Sequence, residues 1–121
     1  MNELMTKHFA KWAAKQRIPA HELAAALSEV QMGISEANLG GHLFKKRIRF
    51  EGKGKSGGGR AIICCKQDKL AIFIHGFAKN EADNLSAKEL HALKEFAKVL
   101  VSLSADNIAA AVANGDFIEV R

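Results

Sequence analysis

Seven basic side chains crowd into residues 45–60, KKRIRFEGKGKSGGGR: Lys45, Lys46, Arg47, Arg49, Lys53, Lys55 and Arg60 stand there against one acid, Glu51. The stretch carries +6 in a chain of +5, which leaves −1 for the other 105 residues. Lysines serving solubility alone would be scattered. Charge concentrated in one glycine-laced stretch raises the potential where phosphates dock and release their counterions, so the segment reads as a polyanion site. A second polar node, GFAKNEADN, sets Lys79 and Asn80 directly after an apolar run that holds His75 and Phe77. Taken alone, Lys79 and Asn80 are ordinary turn chemistry.

Familiar motifs fit these residues poorly. GKGKSGGG resembles a nucleotide-binding loop, but that motif needs a glycine where Arg49 stands and a helix immediately afterwards. His8, His21, His42, His75 and His91 are dispersed, with no His-x-x-x-His and no Cys-x-x-Cys, so no metal site is expected. No cofactor motif is found. Cys64 and Cys65 are adjacent; on a strand they point to opposite faces, which suits two buried thiols and neither a normal disulfide nor a chelating pair.

The host for such a site is one domain of 121 residues, 48% hydrophobic, large enough for a core without staples. No apolar run approaches the roughly 20 residues of a membrane span, and MNELMTKHFAKW lacks a basic start followed by an apolar block. A soluble, cytoplasmic protein is expected. Residues 4–16 place Leu4, Met5, Phe9, Trp12 and Ala13 at helical spacing, although the first few fit a short strand as well. Pro19 opens a second helix over 20–32, with Leu23, Ala26, Leu27 and Val30 on one face and Gly33 as its stop. Residues 33–42 read as loop.

Periodicity then becomes extended. Over 43–50, Phe44, Lys46, Ile48 and Phe50 fall on one side and Lys45, Arg47 and Arg49 on the other. Residues 52–59 read as a mobile glycine-rich loop, followed by a hairpin of 60–66 and 69–77 turning at Gln67-Asp68. That turn pairs Lys66 with Lys69. Ala61, Ile63, Cys65, Ile72 and Ile74 then share the face to be covered by helices; Arg60, Ile62, Cys64, Phe73, His75 and an exposed Phe77 share the open one. Arg60 lands opposite His75, with Lys79 close by. Ser86 and Glu89 have capping-box spacing before a helix whose stripe is Leu90, Leu93, Phe96, Ala97 and Leu100. Ser104 with Asn107 starts a last short helix ending at Asn114-Gly115, and 117–120 suits a strand or coil.

The run NLGGHLFKKRIRFEGKGKSGGGR, followed by IFIHGFAKNEADNLSAKELHALKEFAKVL, resembles the RelE/HigB-type toxins of bacterial toxin-antitoxin modules, in the branch with a Gly-Lys-Ser-Gly-Gly-x-Arg loop and a Phe-Ala-Lys-Asn node. The likeness extends over nearly the full chain, including the leading helices and the closing one. It implies an α+β fold similar to microbial ribonucleases, a small antiparallel sheet with N-terminal and C-terminal helices on one face. It also implies a toxin that cuts messenger RNA in the ribosomal A site, without a metal, and is covered by a cognate antitoxin, often a helix-turn-helix DNA-binding protein.

Under that resemblance Arg60 stabilises the transition state, Lys79 assists at the phosphate, Lys53 and Lys55 hold the backbone or act as acid or base, and His75 is a further acid or base. Lys45, Lys46, Arg47, Arg49 and Asn80 bind RNA, and Phe77 stacks on a base. Gly59 stands where relatives commonly carry an aromatic residue, and the chain has no tyrosine, so a tyrosine general acid is excluded. Two other classes fit the basic segment: a noncatalytic RNA- or ribosome-binding module, and a protein whose basic face meets only an acidic protein.

Overall fold

The structure, a computed structural model, describes residues 2–50, 58–78 and 85–120. The chain starts with the strand alternative: Asn2–Thr6 form β1 and Lys7–Lys15 form α1. Thr6 sets the boundary, because its hydroxyl accepts the Phe9 N–H at 3.1 Å and satisfies one of the donors left open at a helix start. α2 (Ala20–Gln31) follows Pro19 as expected and buries Leu23, Ala26, Leu27 and Val30. Residues 33–42 are not all loop. They contain a four-residue strand, β2 (Ala37–Gly40), which pairs antiparallel with β3 (Leu43–Ile48). The β2 residues alternate half-buried and exposed, but over only four positions ending in glycine that alternation does not stand out from loop.

β4 (Gly59–Lys66) and β5 (Leu70–Ala78) form the expected hairpin with a different turn. Lys66 pairs with Leu70 rather than Lys69. The turn takes three residues, Asp68 adopting a φ of 62° and the Lys69 N–H donating to the Lys66 carbonyl at 3.1 Å. A slip of one residue inverts faces. Phe73 therefore joins Ala61, Ile63 and Cys65, whereas Ile72 and Ile74 join Ile62 and Cys64. A bulge between Ile62 and Ile63 then adds one residue to β5, so that Ile62 pairs with His75 and Arg60 with Phe77. Arg60 is thus not opposite His75. The bulge nevertheless returns His75 and Phe77 to the face of Arg60.

α3 (Ala87–Ser102) and α4 (Ala105–Ala113) begin at the expected capping boxes, Ser86 with Glu89 and Ser104 with Asn107. Ala97 and Leu100 are buried and Leu90 and Leu93 partly so, but Phe96, expected in the same stripe, is exposed. β6 (Phe117–Glu119) pairs antiparallel with β1, which runs parallel to β5. The sheet order is β2-β3-β4-β5-β1-β6. Among the described residues no single helix is long and apolar enough to cross a membrane.

The α+β class and the mainly antiparallel sheet are as expected, but the helices do not share one face. α1 and α2 cover one side with Phe9, Ala13, Leu23 and Leu27 over Ala61, Ile63 and Phe73. α3 and α4 cover the other with Ala97, Leu100 and Ile108 over Ile62, Cys64, Leu70 and Ile72. The reason lies in β4, where every residue from 59 to 65 is buried. A strand buried on both faces needs cover on both. Cys64 and Cys65 fall on opposite sides as free thiols. Burial, and then the neighbouring Cys65, push the Cys64 thiol up to about 12, and burial raises Cys65 as well, so neither is a thiolate near neutral pH.

Gly76 marks a close approach between sheet and α1. A Cβ there would stand 2.4 Å from two carbons of the Trp12 indole. Gly76→Ala is expected to cost about 1–3 kcal/mol of unfolding free energy, as overpacking of a filled site does. Urea midpoints check it, and Trp12→Leu in the same chain should recover part of the loss.

Candidate nucleic-acid interface

Cross-strand pairing builds the site at one end of the α3/α4 face. Arg60 at the start of β4 has Arg47 of β3 on one side and Phe77 of β5 on the other; one rung inward, Ile62 lies between Lys45 and His75. Directly opposed residues point to the same face, so Lys45, Arg47, Arg60, His75 and Phe77 share it. Two arginines directly opposite would repel. Glu36, just before β2, offsets that charge: Arg60 Nε donates to its Oε1 at 2.8 Å and Oε2 at 3.0 Å, and Lys45 Nζ lies 3.5 Å from Oε1. Arg60 Nη1 donates to the Gly59 carbonyl at 3.2 Å. Burial alone would raise the pKa of Glu36, but the hydrogen bond and charge of Arg60, and then Lys45, outweigh it and hold the carboxyl below its usual range.

The expected RNA contacts divide. Arg47 and Arg49 are exposed. Lys46 alternates to the opposite face, where its Nζ sits 2.6 Å from Glu29 of α2, away from Arg60. Phe77, expected exposed, is buried at 7% because it packs into the α3/α4 core. Arg60 itself is enclosed, its side chain 11% exposed. Lys53, Lys55, Lys79 and Asn80 lie outside the described residues. The described ends beside 51–57 are brought together: a Cβ on Gly58 would be 2.4 Å from the Ile48 carbonyl oxygen. Gly59 is held as tightly, since a Cβ there would be 2.6 Å from the Phe77 carbonyl oxygen and 2.7 Å from the Phe50 ring. Phe50 occupies the space into which a side chain at 59 would grow.

His75 is partly buried, and its Nδ1 lies 3.4 Å from His8 Nε2 of α1, the two rings parallel within 2°. The Phe77 ring lies 6.1 Å away, centroid to centroid. Burial, then the nearby His8, lower the pKa of His75, with Glu89 opposing. Two members of this site, Glu36 and His8, escaped the sequence reading. Glu36 is 24 residues from Arg60 and His8 is 67 from His75, so no local spacing announces either. Among the described residues, no group of three or more His, Cys, Asp or Glu side chains is placed to hold a metal ion.

The His75 shift has a stability consequence of definite sign. Its folded-state pKa lies below the ordinary 6.5, so the unfolded chain binds more protons between those two values. Stability should therefore rise with pH across that window and its full contribution be present above about 6.5. His75→Gln should flatten this part of the profile, as read from urea midpoints between pH 5 and 7.5. Glu36, whose pKa is lowered, acts in a separate window, its contribution being lost as pH falls below the carboxylate range.

A family model described as the RelE toxin of the RelE/RelB toxin-antitoxin system matches residues 1–120, so the whole sheet and the Arg60 row lie inside the matched region. No curated protein matches the chain. The chain therefore belongs to the RelE family of toxins, the toxin half of a toxin-antitoxin system whose partner is an antitoxin.

Proposed function

We propose that this toxin is a metal-independent endoribonuclease that cuts messenger RNA in the ribosomal A site and so stops translation in the cytoplasm. Membership of a family of generally mRNA-cleaving toxins supports the reading. The observation that carries it in this chain is the row of Arg47, Arg60 and His75 on one end of one sheet face, its two arginines drawn from the +6 segment. Cleavage proceeds by attack of a 2′-oxygen on the adjacent phosphorus. The O2′–P bond forms, the P–O5′ bond breaks, one proton leaves the 2′-hydroxyl and another reaches the departing 5′-oxygen.

Arg60 donates to the non-bridging oxygens as charge builds on them. His75 takes or gives a proton; its lowered pKa leaves the imidazole neutral and able to accept one near neutral pH. Lys53, Lys55 and Lys79 supply the remaining cations at the phosphate, and Arg47, Arg49, Lys45 and Asn80 hold flanking backbone. Phe77, being buried, flanks Arg60 and His75 on the same sheet face instead of stacking on a base. The antitoxin, often a helix-turn-helix DNA-binding protein, covers this basic face.

One observation favours a second reading, noncatalytic ribosome binding: Arg60 is enclosed and already paired with Glu36. Mapping transcript 5′ ends after brief induction separates the two. The wild type should create new ends at a fixed place within codons and Arg60→Ala should not. Uncut transcripts under arrested translation would make the protein a ribosome binder instead.

A further inference from the structure

We infer that Glu36 is a positioning residue, which holds Arg60 by its Nε edge and so leaves the terminal Nη edge of the guanidinium as the surface that meets phosphate. The inference rests on the ribonuclease reading above and assigns a role to a residue that this reading does not use. Arginine has five N–H donors in a rigid fork and engages an oxyanion either through Nε with one Nη or through the two Nη groups end-on. Both carboxylate oxygens of Glu36 lie on Nε, at 2.8 and 3.0 Å, which removes the first mode. The Gly59 carbonyl takes one Nη1 hydrogen at 3.2 Å and pins the plane from the backbone side. What remains are the second Nη1 hydrogen and Nη2, which has no hydrogen-bond partner among the described residues.

Two further features separate this arrangement from an ordinary surface ion pair. A long arginine held in one rotamer costs side-chain entropy, which solvent-exposed pairs rarely recover. Here the Arg60 side chain is 11% exposed and the Glu36 side chain about a third exposed, so the guanidinium is enclosed while the carboxylate bridges it to solvent and to Lys45. In addition, Arg47 faces Arg60 directly across β3 and β4. Without Glu36 the two guanidiniums would splay apart, and Arg60 would lose the orientation that a preorganised donor requires.

Two measurements on the full-length protein test the role. In single-turnover cleavage of mRNA on programmed ribosomes, Glu36→Gln should slow the rate constant about 10- to 100-fold, the scale of losing catalytic geometry, while the half-saturating ribosome concentration stays unchanged. In ¹⁵N-detected spectra, inorganic phosphate or a 2′-O-methyl RNA should perturb the Arg60 Nη signals of the wild type and leave the Nε–H cross peak in place. Faster cleavage or tighter RNA binding by Glu36→Gln, or release of the Nε–H on adding phosphate, would overturn the proposal, because Glu36 would then be a competitor that covers Arg60. An unchanged cleavage rate with an intact fold would reduce the pair to charge balance and overturn it equally. If the wild type itself leaves mRNA uncut, the ribonuclease reading falls, and the phosphate titration alone still decides which edge of Arg60 is free.

Discussion

Arg60→Ala is expected to lower single-turnover cleavage of ribosome-bound mRNA by about 10²- to 10³-fold, the usual loss when a donor aimed at developing oxyanion charge is removed. The size follows from how the side chain is held. Its donors are fixed by Glu36 and by the Gly59 carbonyl before substrate arrives, so on the proposed mechanism they need no reorganisation as charge develops. Arg60→Lys should recover little, because a point charge on a flexible stem reproduces neither the fork nor its simultaneous hydrogen bonding to Glu36 and the Gly59 carbonyl. Arg47→Ala supplies the contrast. It is exposed and, on the proposed mechanism, holds flanking backbone, so its removal should weaken binding and reduce the salt dependence by about one phosphate contact, with the cleavage rate constant retained. Lys45 still faces Glu36 after Arg60→Ala, so the variant should keep its fold, which circular dichroism would verify.

Phe73→Ala should be the most destabilising of the substitutions considered, at about 3–5 kcal/mol for an aromatic truncated in a filled core. Phe73 is fully buried and stacks on Phe9 at 4.5 Å; Phe9 meets Trp12 at 5.4 Å, and Trp12 meets Phe50 at 5.8 Å. This chain of rings ties β5 to α1 and to the residues just after β3. A loss of that size is a large part of the 5–15 kcal/mol available to a typical domain, and should lower the melting temperature by about 10 °C or more. Urea unfolding with an unchanged m-value would measure it. A loss under about 1 kcal/mol would mean that the neighbours collapse into the space, contrary to the rigid packing expected of such a core. The substitution also bears on the site. Phe73 pairs with Ile63 at the bulge that turns His75 toward Arg60, so cleavage should fall beyond what the remaining folded fraction explains.

Local chemistry was readable where the deciding groups lie within a few residues of one another. The helix starts at Ser86 and Ser104 are examples, since each hydroxyl needs only the amide three residues on. The alternation of Phe44 and Ile48 against Lys45 and Arg47 is another, as is the face division along β4. The hairpin turn escaped because Asp68 tolerates a positive φ as asparagine and glycine do, and nothing in Gln67-Asp68-Lys69 separates a two-residue from a three-residue turn. The burial of Phe77 and the exposure of Phe96 escaped for a related reason. Both depend on which helix lies over which strand, and a residue's own neighbours in sequence say little about that.

By itself the sequence determined that this chain carries a local excess of cations, that the excess runs along one strand and its glycine-rich connection to the next, and that Arg60 lies at the start of that next strand, because charge, glycine content and period-two alternation are properties of contiguous residues. It also carried the RelE likeness that the family model supports. Only the tertiary structure decided what Arg60 is next to. The three-residue turn and the bulge in β5 together substitute Phe77 for His75 as its partner, β2 brings Glu36 onto its Nε, and α1 lays His8 against His75. Each of these contacts joins residues 15 or more positions apart, and their energies depend on burial and on register, which the whole sheet settles together.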